Sequence, residues 1–208
     1  MREETRQKRH ETIAAVAYDL LASHGYSGTT MLRIATAARA SNETLYRWYG
    51  DKDGLFLQMV RDNAAVIQAV LQDALAVDAP PMEVLDRVAP VFLTMLLGER
   101  AILLNRAAAA DPSGRLGAAI SAGGRQEVQP LLAKVLTPLC EQHGCAPSQA
   151  ADWFLSLLIG DLQIRRVIGE LPAPDAAGIE RRCRQALEGL SALLAARQGP
   201  TQSIGAAP

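Results

Sequence analysis

A chain of 208 residues with 49% apolar content can fill one large core or two small ones, which excludes a disordered polymer. Its 21 basic against 22 acidic residues exclude a strong overall attraction to nucleic acid, membrane or acidic substrates. Three cysteines without a CxxC pair argue against a disulfide framework and favour a reducing compartment.

The N-terminus is charged, with no apolar signal-type segment behind it, and no later apolar run reaches membrane-spanning length, so a soluble cytoplasmic protein with no membrane contact is expected. Residues 1–52 hold eight Lys or Arg against six acids, a mildly basic head on an acidic body. From Thr5 to His24, Ile13, Val16, Ala17, Leu20 and Leu21 recur at helical spacing, and Gly25 stops this first helix. Thr29 or Thr30 caps a short second helix carrying Leu32, Ile34, Ala35 and Ala38. After Ala38-Arg39-Ala40, Ser41 caps a third helix that turns Leu45, with Trp48 or Tyr49, inward. Two short helices joined by a tight turn make a helix-turn-helix pattern.

Gly50-Asp51-Lys52-Asp53 ends the third helix and opens a fourth, with acids where the helix dipole favours them, running to Asp78. Pro80 and Pro81 mark the next helix start, Gly98 a break. A further helix is expected from Asp111 to about His143, kinked or split by Gly123, Gly124, Pro130 and Pro138. Helices over Pro147–Ile168 and Asp175–Arg197 close the fold. No useful period-two alternation occurs, so the fold class is all-α, with about nine helices. The domains read as a head over 1–54 with an N-terminal arm, a helical body over 55–197, and a disordered tail over 198–208.

Ile34-Ala35, Ala38-Arg39-Ala40-Ser41, Thr44-Leu45-Tyr46-Arg47-Trp48-Tyr49 and Lys52-Asp53-Gly54-Leu55-Phe56 resemble the DNA-binding head of the tetracycline-repressor (TetR) family over roughly residues 10–57. The resemblance implies a dimeric transcriptional regulator, usually a repressor, that leaves a two-fold DNA operator when a small-molecule effector enters the body. It assigns Thr30, Tyr46, Trp48 and Lys52 to phosphates, and Ser41, Asn42, Glu43, Thr44 and Arg47 to bases or nearby phosphates. Two residues depart from the family pattern. Arg39 stands where many members have Gly, so either the turn differs or Arg39 offsets the strain by reaching phosphate. Glu43 stands where Gly is frequent; with Asn42 it is a candidate base reader, accepting from a cytosine amino group.

Arg2, Arg6, Lys8 and Arg9 read either as a solvated tail or as an arm adding phosphate affinity. For an effector pocket the candidates are Phe92, Met95, Ile102, Leu103, Arg106 and Trp153, although such stripes are more often plain core. Arg106 is either paired with an acid such as Asp111 or available to an anionic ligand. Cys140, His143 and Cys145 lie close together without a standard zinc spacing, and buried cysteines are the better reading. No catalytic motif, metal site or cofactor is indicated. The final two helices are expected to form a homodimer, since two-fold operators need paired heads about 34–36 Å apart. The alternative is an all-α effector-binding or adaptor protein whose head contacts protein.

Overall fold

The computed structural model describes residues 2–77 and 79–197; the expected tail over 198–208 lies outside them. The helices are α1 (Arg2–Gly28), α2 (Met31–Ala37), α3 (Asn42–Tyr49), α4 (Lys52–Ala76), α5 (Pro81–Leu97), α6 (Glu99–Ala109), α7 (Arg115–Ile120), α8 (Gln126–His143), α9 (Pro147–Ile159), α10 (Leu162–Val167) and α11 (Ala176–Ala196). A π-helical turn, Ser121–Arg125, joins α7 to α8, and no strand occurs among the described residues.

Local chemistry sets these boundaries. Gly25 leaves helical geometry at φ 65° and turns the end of α1. The side chains of Thr30, Ser41 and Asp51 accept from the backbone amides of Arg33, Thr44 and Gly54, capping α2, α3 and α4 in succession. Asp175 caps α11 in the same way. Gly98 ends α5 and starts α6.

One expectation for the body changes, and the interruption expected at Gly123 and Gly124 is present. The helix expected over Pro147–Ile168 is broken at Gly160, whose φ of 50° and ψ of −129° no helix can hold. A Cβ there would lie 2.6 Å from the Arg182 guanidinium, whose Nε donates to the Leu158 carbonyl at 2.9 Å. Between Asp111 and His143 the chain bends through the π turn, where Gly123 packs against α4. A Cβ at Gly123 would stand 3.1–3.2 Å from Leu57, Val60 and Arg61. Pro130 and Pro138 remain inside α8 on exposed positions, where the carbonyls they leave unpaired can meet water. With the added breaks, the described residues hold eleven α-helices instead of nine.

Two apolar cores form. One, beneath the head, joins Ile13, Ala17, Leu21, Ile34, Ala35, Leu45, Leu55, Phe56 and Val60 to Leu104 and Ala107 of α6 and Leu116 of α7. The other fills the body between α4, α5, α8, α9 and α11. The head therefore rests on the body through shared core side chains, and α4 runs through both.

Candidate nucleic-acid interface and effector cavity

Helix α3 is sharply two-sided. Leu45 is 0% exposed and pins the helix into the head core. Trp48 and Tyr49 are half-buried beside it, with rings in edge contact. Ser41, Asn42, Glu43, Tyr46 and Arg47 face solvent, and Thr44 is half-buried. Tyr46 is 49% exposed, a large aromatic surface left open by the described residues. Glu43 lies 3.9 Å from Arg47 one turn along, so the acid is partly balanced by its own helix.

The hydroxyls that cap helices keep a proton to give. Thr30 accepts from the Arg33 amide at 3.2 Å, and Ser41 from the Thr44 amide at 3.1 Å; Ser41 and Thr44 also share a 2.7 Å hydroxyl contact. Thr30, exposed at the start of α2, can still donate outward. Lys52 is half-buried: its ammonium donates to the Tyr26 carbonyl at 2.9 Å and sits 3.8 Å from the Tyr26 ring centre. Burial lowers its pKa from the usual lysine range. Two of its three N–H groups lie beyond that one carbonyl bond.

Arg39 is the one non-glycine residue with positive φ, 51°, among the described residues. Its left-handed backbone closes the turn between α2 and α3, and its carbonyl accepts from the Arg9 guanidinium. Its own side chain is exposed. The basic N-terminal residues are already helical from Arg2. Arg6 stacks 5.5 Å from the Trp48 ring centre, and Lys8 pairs with Glu4 at 3.0 Å.

Sequence reasoning missed a three-residue network under α3. The His10 imidazole meets the Tyr49 hydroxyl at 2.8 Å and the Asp62 carboxylate at 2.6 Å. It ties α1, α3 and α4 together. The hydrogen bond to Asp62 raises the His10 pKa above 6.5, against an opposing effect of burial. No spacing rule links residues 10, 49 and 62, so only the packing of three helices reveals them.

In the body, a cavity of about 380 Å³ opens between α4, α5, α6, the π turn and α9. Phe92 and Met95 line it, with Val60, Asn63, Leu104 and Arg125. The other sequence candidates sit elsewhere. Ile102 is fully buried, and Leu103 packs against the head core. Trp153 lies under the Arg197 guanidinium at 5.3 Å. Arg106 donates to the carbonyls of Val167 and Arg166, at 2.7 and 3.1 Å, and so caps the end of α10. Asp111, one partner the sequence offered for it, instead accepts from Ser113 and Leu116 at the start of α7. Val60 and Leu104 both line the cavity and belong to the head core.

A capped helix-turn-helix head on an all-helical body defines the class. Residues 13–59 match the family described as bacterial regulatory proteins, tetR family. The chain is 36% identical over 52 residues to the HTH-type transcriptional repressor AcnR of Corynebacterium glutamicum, covering 25% of this chain and 28% of that protein. It is 43% identical over 54 residues to the HTH-type transcriptional regulator HbdR of Aromatoleum sp. (strain CIB), covering 26% of this chain and 23% of that one. These matches thus span about a quarter of the relatives' length. A TetR transcriptional regulator from Agrobacterium tumefaciens superposes with a TM-score of 0.67 at 24% identity, covering 89% of this chain and 93% of its own. The head, over residues 13–59, carries the sequence pattern of the tetR family, and 89% of the chain shares the fold of that regulator.

Proposed function

We propose that this protein is a sequence-specific DNA-binding transcriptional regulator, a repressor that a small-molecule effector releases from its operator. The observation that carries the reading is the two-sided α3: Leu45 is sealed in the core while Asn42, Glu43, Tyr46 and Arg47 are left uncovered beside the capped start of α2. In this reading Thr30, Tyr46, Trp48 and Lys52 hold phosphates and Arg39 adds a further cation. Ser41, Asn42, Glu43, Thr44 and Arg47 meet base edges and the adjoining backbone. Two heads act on two-fold half-sites, paired through the helices at the C-terminal end of the described chain, α9 to α11.

The effector occupies the cavity against Phe92 and Met95. Any molecule that displaces Val60 or Leu104 disturbs side chains on which the head is seated, which gives the coupling a physical route. The test is fluorescence anisotropy with the DNA flanking the protein's own gene, titrated from 50 to 200 mM salt, on the order of the range where phosphate contacts dominate. Tight binding with a steep salt dependence, weakened roughly 5- to 100-fold by Arg47→Ala, is expected. Equal affinity for flanking and random duplex would reject sequence-specific recognition.

A further inference from the structure

The Cys140-His143-Cys145 cluster plays no part in the proposed DNA or effector sites, and the structure gives it a definite geometry. Helix α8 ends on Gly144, whose left-handed φ of 63° and ψ of 43° reverse the chain. The amides of Gly144 and Cys145 both turn back to the Cys140 carbonyl, the latter at 3.2 Å. A glycine-terminated helix end of this kind folds the residue after the glycine onto the residue one turn back. Here both residues are cysteines, and their sulfurs lie 2.8 Å apart as free thiols.

A metal does not fit that pair. Two thiolates on one zinc stand roughly 3.8 Å apart, from bonds of about 2.3 Å at tetrahedral angles. The His143 Nδ1 is engaged with the Leu139 carbonyl at 2.9 Å. No group of three or more His, Cys, Asp or Glu placed to hold a metal occurs among the described residues.

We propose that Cys140 and Cys145 form a modification site, closed into an intrachain disulfide by a two-electron oxidant of the hydroperoxide class. Cys145 is half-buried and Cys140 buried, so the oxidant meets Cys145 first. The Cys145 thiolate, its proton released to water, attacks the peroxide oxygen. The O–O bond breaks, and the sulfur becomes a sulfenic acid while the peroxide leaves as water (or as an alcohol). The Cys140 sulfur then attacks the sulfenic sulfur, forming the S–S bond and expelling hydroxide, which takes up the Cys140 proton as water. Two thiols are oxidised by two electrons and one peroxide is reduced. Burial and the Cys145 contact push the Cys140 thiol up to about 12, which disfavours Cys140 as the first nucleophile. The helix end holds the two sulfurs 2.8 Å apart, so closure brings them nearer by roughly 0.8 Å.

The experiment treats the full-length protein with hydrogen peroxide, blocks remaining thiols with iodoacetamide and digests with trypsin without reductant. The peptide over 135–165 carries both cysteines, and cleavage after Arg182 separates Cys183 from them. The expected product is that peptide lighter by two hydrogens and unalkylated, restored to two alkylated cysteines by prior dithiothreitol. The Cys183→Ser protein gives the same product, and Cys140→Ser leaves a Cys145 sulfenic acid that dimedone traps. Two alkylated cysteines after peroxide, a Cys145 carrying two added oxygens, or a disulfide between two chains would each overturn the proposal. The wild-type measurement alone decides it if a variant fails to fold.

Discussion

Gly54 occupies the first turn of α4, where the chain has just left α3, and replacing it by alanine is the sharpest test of how the head is built. A Cβ there would lie 1.9 Å from the Tyr49 carbonyl oxygen and 3.1 Å from its carbonyl carbon. Backbone must therefore move by roughly 1 Å or more to reach ordinary contact. Both residues carry contacts that such a shift would disturb. The Tyr49 hydroxyl is held by His10, and the Gly54 amide is bonded to Asp51 at 2.7 Å. Overpacking of this kind costs about 2–3 kcal/mol. For a chain of this length that is a fall in Tm of roughly 5–10 °C. Circular dichroism melts of Gly54→Ala should show it, with weaker DNA binding in anisotropy because the strain falls at the end of α3. Gly117→Ala is the control. That glycine lies inside α7 with nothing within 4 Å of its missing Cβ, and alanine there should stabilise by about 0.5–1 kcal/mol. A Gly54→Ala protein that melts with the wild type, beside a Gly117→Ala protein that behaves as expected, would refute the reasoning.

Other substitutions probe the remaining features. Arg39→Gly should raise stability by about 1 kcal/mol, because glycine holds a φ of 51° without steric cost. The same change should weaken DNA binding in anisotropy; a gain in affinity would remove Arg39 from the interface. Because the folded pKa of His10 is raised above 6.5, its contribution to stability is fully present below pH 6.5 and fades as pH rises through the folded value. Urea unfolding from acid to alkaline pH should lose that dependence in Asp62→Asn, and an unchanged profile would show that the Asp62 contact does not set it. Arg166 is buried and donates to the Leu97 and Leu171 carbonyls and the Glu99 carboxylate, at 3.1, 3.2 and 2.6 Å. Arg166→Leu should cost about 2–4 kcal/mol through the buried Leu97 carbonyl and the half-buried Leu171 carbonyl it abandons. Glu99→Ala should cost at most about 1 kcal/mol, since Glu99 is 69% exposed. Binding-site selection with Glu43→Ala should relax preference at one position per half-site; an unchanged preferred sequence would mean that Glu43 reads no base.

The head was largely legible because its signals are local. Thr30 and Ser41 carry hydroxyls at the two helix starts where free amides need acceptors, Gly25 ends α1, and Leu45 is the apolar residue that a short helix must bury. The expected strain at Arg39 is present as a positive φ. The body was less legible because its sequence is apolar in many places at once. Helical spacing marks Ile102 and Phe92 equally, yet one is sealed at 0% exposure and the other lines the cavity. Which of them meets a void depends on neighbours from distant helices.

Sequence by itself determined the all-helical class, the caps and turns of the head and the polar face of α3, because each follows from residues within a turn or two of one another. Tertiary structure alone decided what joins elements far apart in the chain: the His10, Tyr49 and Asp62 network, the α10 end capped by Arg106, and the cavity wall shared with the head core. Helical periodicity states that a side chain faces inward. It does not state what it meets there, since that is fixed by how whole helices pack.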